Sequence, residues 1–416
     1  MDYVPEDRQL ATYGNYGIEH EHDECTSDSY HQLIIIGNGF DLECGLRSSY
    51  SDFEKTRAAL LNLQENSTQD ASEWADSLIN QGITVWDVIL ERWQTVLWSN
   101  VEKAIEFCLV GGEDSGCKIK GSQYEPPAKC WARKIEKGWS IEGGVGDQGE
   151  DLEWLVLLFL VKKSGGKEFS EKKVFEILLN QLCELENAFQ EYLFDQEYGN
   201  TEYFKNADIL LHQIMRYEDP DGRRYCLNGC SSLLNFNYTD PTGLGDNHEQ
   251  CITDAVINVH GRIGEGSVLF GIDGRDCAPE VLPFTKAYRV LRQQRENMRM
   301  LYRTASRVVN DRGPTNVIKF YGHSLSDVDY SYFQAIFDGV DLYSGKTKLV
   351  FLYRAPRNND GSRSNVSEAK GSVVGSVVKL VNKYGSTFDN VEHGRNLLSK
   401  LIVEGRIQIS QLPESD

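Results

Sequence analysis

The sequence predicts an α/β fold: a Rossmann-type, mainly parallel sheet with a large inserted block of helices. Three observations predict it. Short apolar runs rich in Ile, Leu, Val and Phe stop at Gly, Asn or Tyr, as strands buried on both faces do. One such run lies near residue 33 and the others return only after residue 230. The stretch between them, about 52–225, repeats its apolar residues every three or four positions, which is helical spacing. Strands separated by helical segments pair in parallel, because each return crossing needs a helix.

In chain order, residues 1–30 are polar and acidic and read as a loosely packed tail. They lack the basic start and apolar centre of a signal or transit peptide. "QLIIIG" is the first strand, and "GNGFDLECGL" after it is a glycine turn opening a helix. "VWDVILERWQTVLWSNVEKAIEFCL" is helical, and so is 169–194. There Phe175, Leu178, Leu179, Leu182, Leu185, Phe189 and Leu193 form one stripe. "WLVLLFLV" at 154–161 is too short to span a bilayer and is flanked by Glu153 and Lys162, so it reads as a buried helix. The Gly- and charge-rich stretch at about 110–150 reads as a long exposed loop. Five further strands are expected in "CSSLLNFNY", "DAVINVHG", "SVLFGI", "TNVIKFYG" and "TKLVFLY". Residues 31–416 thus form one α/β domain, with the insertion expected as a helical layer over its sheet.

Composition narrows the function. A formal net charge of −20 repels phosphate backbones and no basic run offsets it, so neither nucleic acid nor membrane is an expected partner. Ten cysteines without a secretion signal suggest reduced thiols in a cytoplasm. Cys226 and Cys230 in "CLNGC" lack the second pair a zinc site wants, so no metal is expected.

Four strands end in polar residues: Gly37, Asn38, Gly39, Phe40 and Asp41 after the first, then Asn235–Asp240, Asn258–Gly261 and Tyr321–Asp329. Ligands of open α/β sheets bind outside the carboxyl ends of the strands, so these ends converge on one crevice. The glycines alone do not make a dinucleotide fingerprint, because Leu42 stands where the third glycine belongs. A glycine turn feeding a helix can still cradle a pyrophosphate. His260 at a strand end is a general-base candidate or a packed core histidine, and Asn237 an orienting amide or a turn former.

Together these segments resemble two families. "GNGFDLECGL", "NFNYTD", "HG" and "GHSLSDVD" are similar, in order, to the NAD-binding motifs of sirtuins. More closely, "LIIIGNGFDLECGLRSSYSDF", "WSNVE", "FNYTD", "NVHG", "LFGID" and "YGHSLSDVDYSYF" resemble the AbiH family of phage abortive-infection proteins over roughly 31–340. Paired CxxC motifs after the His-Gly, which hold zinc in sirtuin deacetylases, are missing here.

The resemblance implies a sirtuin-like fold and NAD⁺ as substrate rather than resident cofactor. It implies a phage-defence effector that hydrolyses NAD⁺ to ADP-ribose and nicotinamide, with His260 as base and Asn237 orienting ribose or water. Gly37, Asn38, Gly39 and Phe40 would face the pyrophosphate, and Asp41 a ribose hydroxyl. Thr239 or Asp240 would meet the ribose, and Gly322, Ser324 and Asp329 the distal nucleoside. An NAD or ADP-ribose sensor and an ADP-ribosyltransferase are the alternatives. A phage-derived trigger and self-association complete the expected partners.

Overall fold

The computed structural model describes residues 31–61, 71–92, 98–111, 125–139, 153–165, 169–217, 231–242, 255–264, 268–273, 277–292, 301–304, 314–357 and 362–414. The expected tail 1–30 and the pair Cys226 and Cys230 lie outside the described residues. Among the described residues the sheet has six parallel strands: β1 (His31–Ile36), β2 (Ser231–Asn235), β3 (Ala255–Asn258), β4 (Thr315–Tyr321), β5 (Lys348–Tyr353) and β6 (Ile407–Gln411). Their order is β3-β2-β1-β4-β5-β6, so the direction of winding reverses between β1 and β4. In doubly wound sheets that reversal opens a crevice at the strands' carboxyl ends.

Alternation along each strand sends side chains to two covered faces. Leu33, Ile35, Ile318, Phe320, Leu349 and Phe351 pack under α11 (Tyr330–Gly339), α12 (Val366–Gly385) and α13 (Val391–Val403). Ile34, Ile36, Val317, Tyr321, Val350 and Leu352 face α1 (Asn38–Glu43) and α9 (Thr201–Arg216). Lys319 of β4 also points at α9, where its ammonium donates to the carbonyls of Ile214, Met215 and Tyr217 at 2.9, 2.7 and 3.1 Å. Burial pushes this amine down to about 7. Carbonyl acceptors at the negative end of a helix work the other way and favour the ammonium.

Three expectations need correction. "SVLFGI" is not a sheet strand. Its described residues 268–272 make one isolated bridge, Ile272 to Thr285, and the Phe270 amide donates to Glu186 instead of a neighbouring strand. A strand at 407–411, β6, was not anticipated, because "IQISQ" is short and half polar. The stretch at about 110–150 is not simply an exposed loop. It contains α6 (Pro127–Glu136), whose Ala128, Trp131 and Ala132 are buried at three- and four-residue spacing behind an initiating proline. The flanking 112–124 and 140–152 lie outside the described residues.

The insertion is also more than a layer over the sheet. Of the insertion's described helices only α9 lies on a sheet face. Helices α2 (Tyr50–Leu61), α3 (Ala71–Asn80), α4 (Val85–Arg92), α5 (Trp98–Val110), α7 (Glu153–Lys163) and α8 (Glu171–Glu197) build, with α6, a separate core. Among the described residues no strand residue enters that core. Tyr238, Ile263, Val268, Phe270 and Ile272, all from the connections after β2 and β3, do. The helical body is therefore seated on the carboxyl-end loops. Ser170 caps α8 by accepting from the Lys173 amide, and the expected α8 stripe is buried apart from the half-buried Leu179. Among the described residues no helix is long and apolar enough to cross a membrane.

Candidate active site at the carboxyl ends of the strands

The turns after β1 and β4 touch backbone to backbone. Gly37 N–H donates to the Tyr321 carbonyl at 3.1 Å, and Gly39 N–H to the Gly322 carbonyl at 2.8 Å. A Cβ on Gly39 would stand 2.8 Å from the Gly322 Cα, and one on Gly322 would stand 2.4 Å from the Phe40 nitrogen. Gly322 also has φ +69°, which L side chains rarely adopt. The glycines are thus required first by this close approach. The Gly37, Gly39 and Phe40 amides are engaged within the protein, Phe40 N–H donating to the Gly37 carbonyl at 2.8 Å.

On the β2–β3 side, parallel register places Asn235 beside Asn258. Asn237 and His260 follow two residues beyond each, and the Asn258 side chain ties the strands by donating to the Asn237 carbonyl at 3.1 Å. His260 is 6% exposed, with the rings of Phe236 and Tyr332 at 5.6 and 6.4 Å and Tyr238 at 6.2 Å. Its Nε2 lies 3.2 Å from Asp329 Oδ1. Lys286 Nζ reaches the same oxygen at 2.8 Å, and His323 Nε2 reaches Oδ2 at 3.4 Å. Glu102 of the inserted α5 approaches Lys286 at 3.0 Å.

Proton positions follow from the partners. Burial would raise the Asp329 carboxyl, but the Lys286 charge and the two imidazole donors outweigh it and hold it well below the usual carboxylate range. An ionised carboxylate only accepts, so Nε2 of His260 bears the hydrogen. His323 follows suit, because its Nδ1 already accepts from the Leu325 amide at 2.9 Å. Burial lowers the His260 pKa, and the Lys286 charge lowers it further against the pull of Asp329, so the ring is neutral at pH 7. Its Nδ1 is then an unprotonated lone pair.

Among the described residues that lone pair has no partner. Neither has Oδ1 of Asn237, whose Nδ2 donates to the Gly37 carbonyl at 3.2 Å. Buried polar atoms of folded proteins nearly always have partners. Two orphaned acceptors, on adjacent strand ends, are matched by a ligand that presents hydroxyl donors.

Across the reversal point, the ends of β4 and β5 line a cavity of about 450 Å³. It is lined by Gly39, Leu42, Gly322, His323, Leu325 and Val373, with the buried ion pair of Glu43 and Arg354 and the half-exposed Arg357. Leu325 sits at φ +57°, a strained conformation for leucine, held by its bond to His323. His323 therefore joins the two sides: the residue lines the cavity and its ring bonds the carboxylate that orients His260.

Other expected residues are placed differently. Asp41 is fully buried and accepts from Tyr203 at 2.9 Å and Thr239 at 2.7 Å, and burial raises its carboxyl to about 7. Asp240 accepts from Arg262 and Thr242 at 2.5 Å each. Phe40 belongs to the core under α9, and Ser324 is exposed. Asn38 accepts from Ser48 at 2.6 Å. Asp329 keeps company with His260 rather than with the cavity wall. Sequence reading missed His323, although it stands inside the quoted "YGHSLSDVD". It also missed Lys286 and Glu102, which no local pattern marks.

Among the described residues no group of three or more His, Cys, Asp or Glu is arranged to hold a metal ion. The counter-charge of Asp329 is the Lys286 ammonium. No curated protein and no solved structure matches the chain. A family model described as "Bacteriophage abortive infection AbiH" matches residues 33–353. The chain, with its parallel sheet and the motifs that build this site, belongs to the AbiH family of bacteriophage abortive-infection proteins.

Proposed function

We propose that the protein acts in abortive infection by hydrolysing NAD⁺ to ADP-ribose and nicotinamide. The observation that supports this best is the pair of buried, unpartnered acceptors, His260 Nδ1 and Asn237 Oδ1, beside a nucleoside-sized cavity at the sheet's reversal point. A ribose presents hydroxyl donors that match the acceptors. The adenosine end has the cavity between Gly322, Leu325 and Val373. The glycine turn, most of its amides engaged, offers the pyrophosphate close backbone approach rather than a full amide cradle.

Chemically the demands are modest. The bond between the ribose C1′ and the pyridinium nitrogen breaks with both electrons going to nicotinamide, and a water oxygen forms the new bond to C1′. His260 Nδ1 takes the proton from that water or from a ribose hydroxyl. Asp329, ionised and bonded to Nε2–H, stabilises the imidazolium that results. Asn237 holds the ribose in place, and burial of the site keeps other nucleophiles out.

The test is nicotinamide release from NAD⁺ by the purified full-length chain, with and without lysate of phage-infected cells as trigger. Free ADP-ribose appearing with nicotinamide in equal amounts is expected. Label retained on protein would replace hydrolysis with ADP-ribosyl transfer. Tight NAD⁺ binding without turnover under every condition would make the site a sensor.

A further inference from the structure

Two buried acids of the inserted helices grip one segment of the α/β domain. Glu186 of α8 accepts from the Phe270 amide at 2.6 Å and pairs with Arg289 at 2.6 Å. Glu102 of α5 accepts from the Gly271 amide at 3.5 Å and pairs with Lys286. Lys286 and Arg289 sit three residues apart, on one face at the start of α10 (Lys286–Arg292). Only Lys286 continues inward, to Asp329 and so to His260.

We propose that Lys286 is a positioning residue for His260, and that Glu102 makes this positioning depend on the docked helical insertion. The inference rests on the hydrolase reading for its effect on turnover, but not for its effect on the histidine.

The geometry supports it in three steps. Lys286 and His260 share one oxygen, Asp329 Oδ1, so the ammonium fixes where that oxygen lies and hence which way the imidazole turns. The Lys286 side chain is nearly inaccessible, and among the described residues its bonds run to Glu102 and Asp329. Water cannot readily substitute for either partner. Glu102 and Asp329 also compete for one ammonium. Burial raises the Glu102 carboxyl to about 7, opposed by Lys286 and reinforced by Asp329, whereas Asp329 stays ionised. Undocking α5 would remove the outer acid and free the lysine to move.

The groups facing His260 are Asp329, Lys286 and His323, with the rings of Phe236, Tyr238 and Tyr332, and Glu102 one step behind the lysine. Of the charged ones, Lys286 lowers the histidine's proton affinity and Asp329 raises it. Removing the lysine charge must therefore move the His260 titration to higher pH.

The experiment follows the histidine signals of the full chain, ¹³C-labelled at Cε1, through a pH titration. His260 is identified by the signal missing in His260→Ala. Lys286→Met is expected to shift the His260 titration upward, and Lys286→Arg to leave it close to wild type. In turnover, Lys286→Met should cut kcat by about 10- to 100-fold with KM for NAD⁺ changed less than about twofold, because the cavity is untouched. If Lys286→Met does not fold, Glu102→Gln/Lys286→Met, which removes both charges together, has the same expected shift. A folded variant with an unmoved titration overturns the proposal. So does failure of both variants to fold, which would make Lys286 a pillar of the fold and nothing more. A wild type without turnover sinks the hydrolase reading yet leaves the titration result standing.

Discussion

The two sides of the reversal between β1 and β4 are built from the same kind of strand end but finished in opposite ways. After β2 and β3 the chain is sealed. His260, Asn237 and Asp329 lie under the helical insertion, with buried charges held by Lys286 and Glu102. After β4 and β5 it stays open, with a cavity lined by glycine, aliphatic and aromatic residues and by Glu43, Arg354 and Arg357. The sealed side carries the unpartnered acceptors His260 Nδ1 and Asn237 Oδ1, and the open side carries the cavity, whose lining includes the buried Glu43–Arg354 pair. Sealed polar groups hold a fixed geometry, which suits chemistry, and an open apolar cavity suits binding. His323 belongs to both, so a ligand in the cavity touches the residue that helps hold Asp329.

The contrast is testable, starting where the effect should be greatest. His260→Ala should lower nicotinamide release by about 10²–10⁴-fold, the usual value of a general base. KM for NAD⁺ should barely change and the protein should remain folded. If the variant melts earlier and loses function only in proportion to lost protein, His260 is a packing residue and the sealed side is merely core.

Next is the joint between the sides. Gly322→Ala puts a Cβ against the Phe40 nitrogen at φ +69° and should cost about 2 kcal/mol or more, read as a lowered melting temperature with both binding and turnover impaired. An unchanged melting temperature would show that the two turns are not locked together.

A smaller and one-sided effect is expected in the cavity. Val373→Trp fills space at its wall and should raise KM for NAD⁺ by about tenfold, with kcat at saturation nearly unchanged. A fall in kcat with KM constant would contradict the division of labour.

The smallest effect concerns Asp41, which joins the β1 turn to Thr239. Its carboxyl titrates near 7 when folded and in the ordinary carboxylate range when unfolded. Between those values the folded chain holds a proton that the unfolded chain has released, so stability falls as pH rises through that window. Asp41→Asn should flatten the wild-type decline in melting temperature between pH 5 and pH 8. An equally steep decline in the variant would assign the effect to other buried acids.

Much of the sheet was legible because its strands are buried on both faces, and burial writes itself into sequence as short continuous apolar runs. Four of the six strands show this; β3 is only partly buried, with Val256 exposed, and β6 escapes because its side chains are only half-buried. The helices of the insertion were legible by spacing, yet α6 was hidden inside a glycine-rich stretch where neighbouring polarity masks the apolar stripe of a ten-residue helix. "SVLFGI" had strand composition, but the acids that capture its amides lie 84 and 169 residues away.

For the site, the sequence by itself determined the strand-end residues Gly37, Asn237, His260 and Gly322, because a parallel sheet must bring successive carboxyl ends to one edge. Only the tertiary structure decided what they face. It matched Thr239 to Asp41 and Asp240 to Arg262, moved Asp329 to His260, and supplied His323, Lys286 and Glu102. The physical reason is range. Periodicity and turn chemistry are local and repeat within a few residues, whereas a buried charge is specified by a partner that can lie anywhere in the chain. Glu102 and Lys286 are ordinary surface-type residues until folding takes both out of water and leaves each as the other's counter-charge.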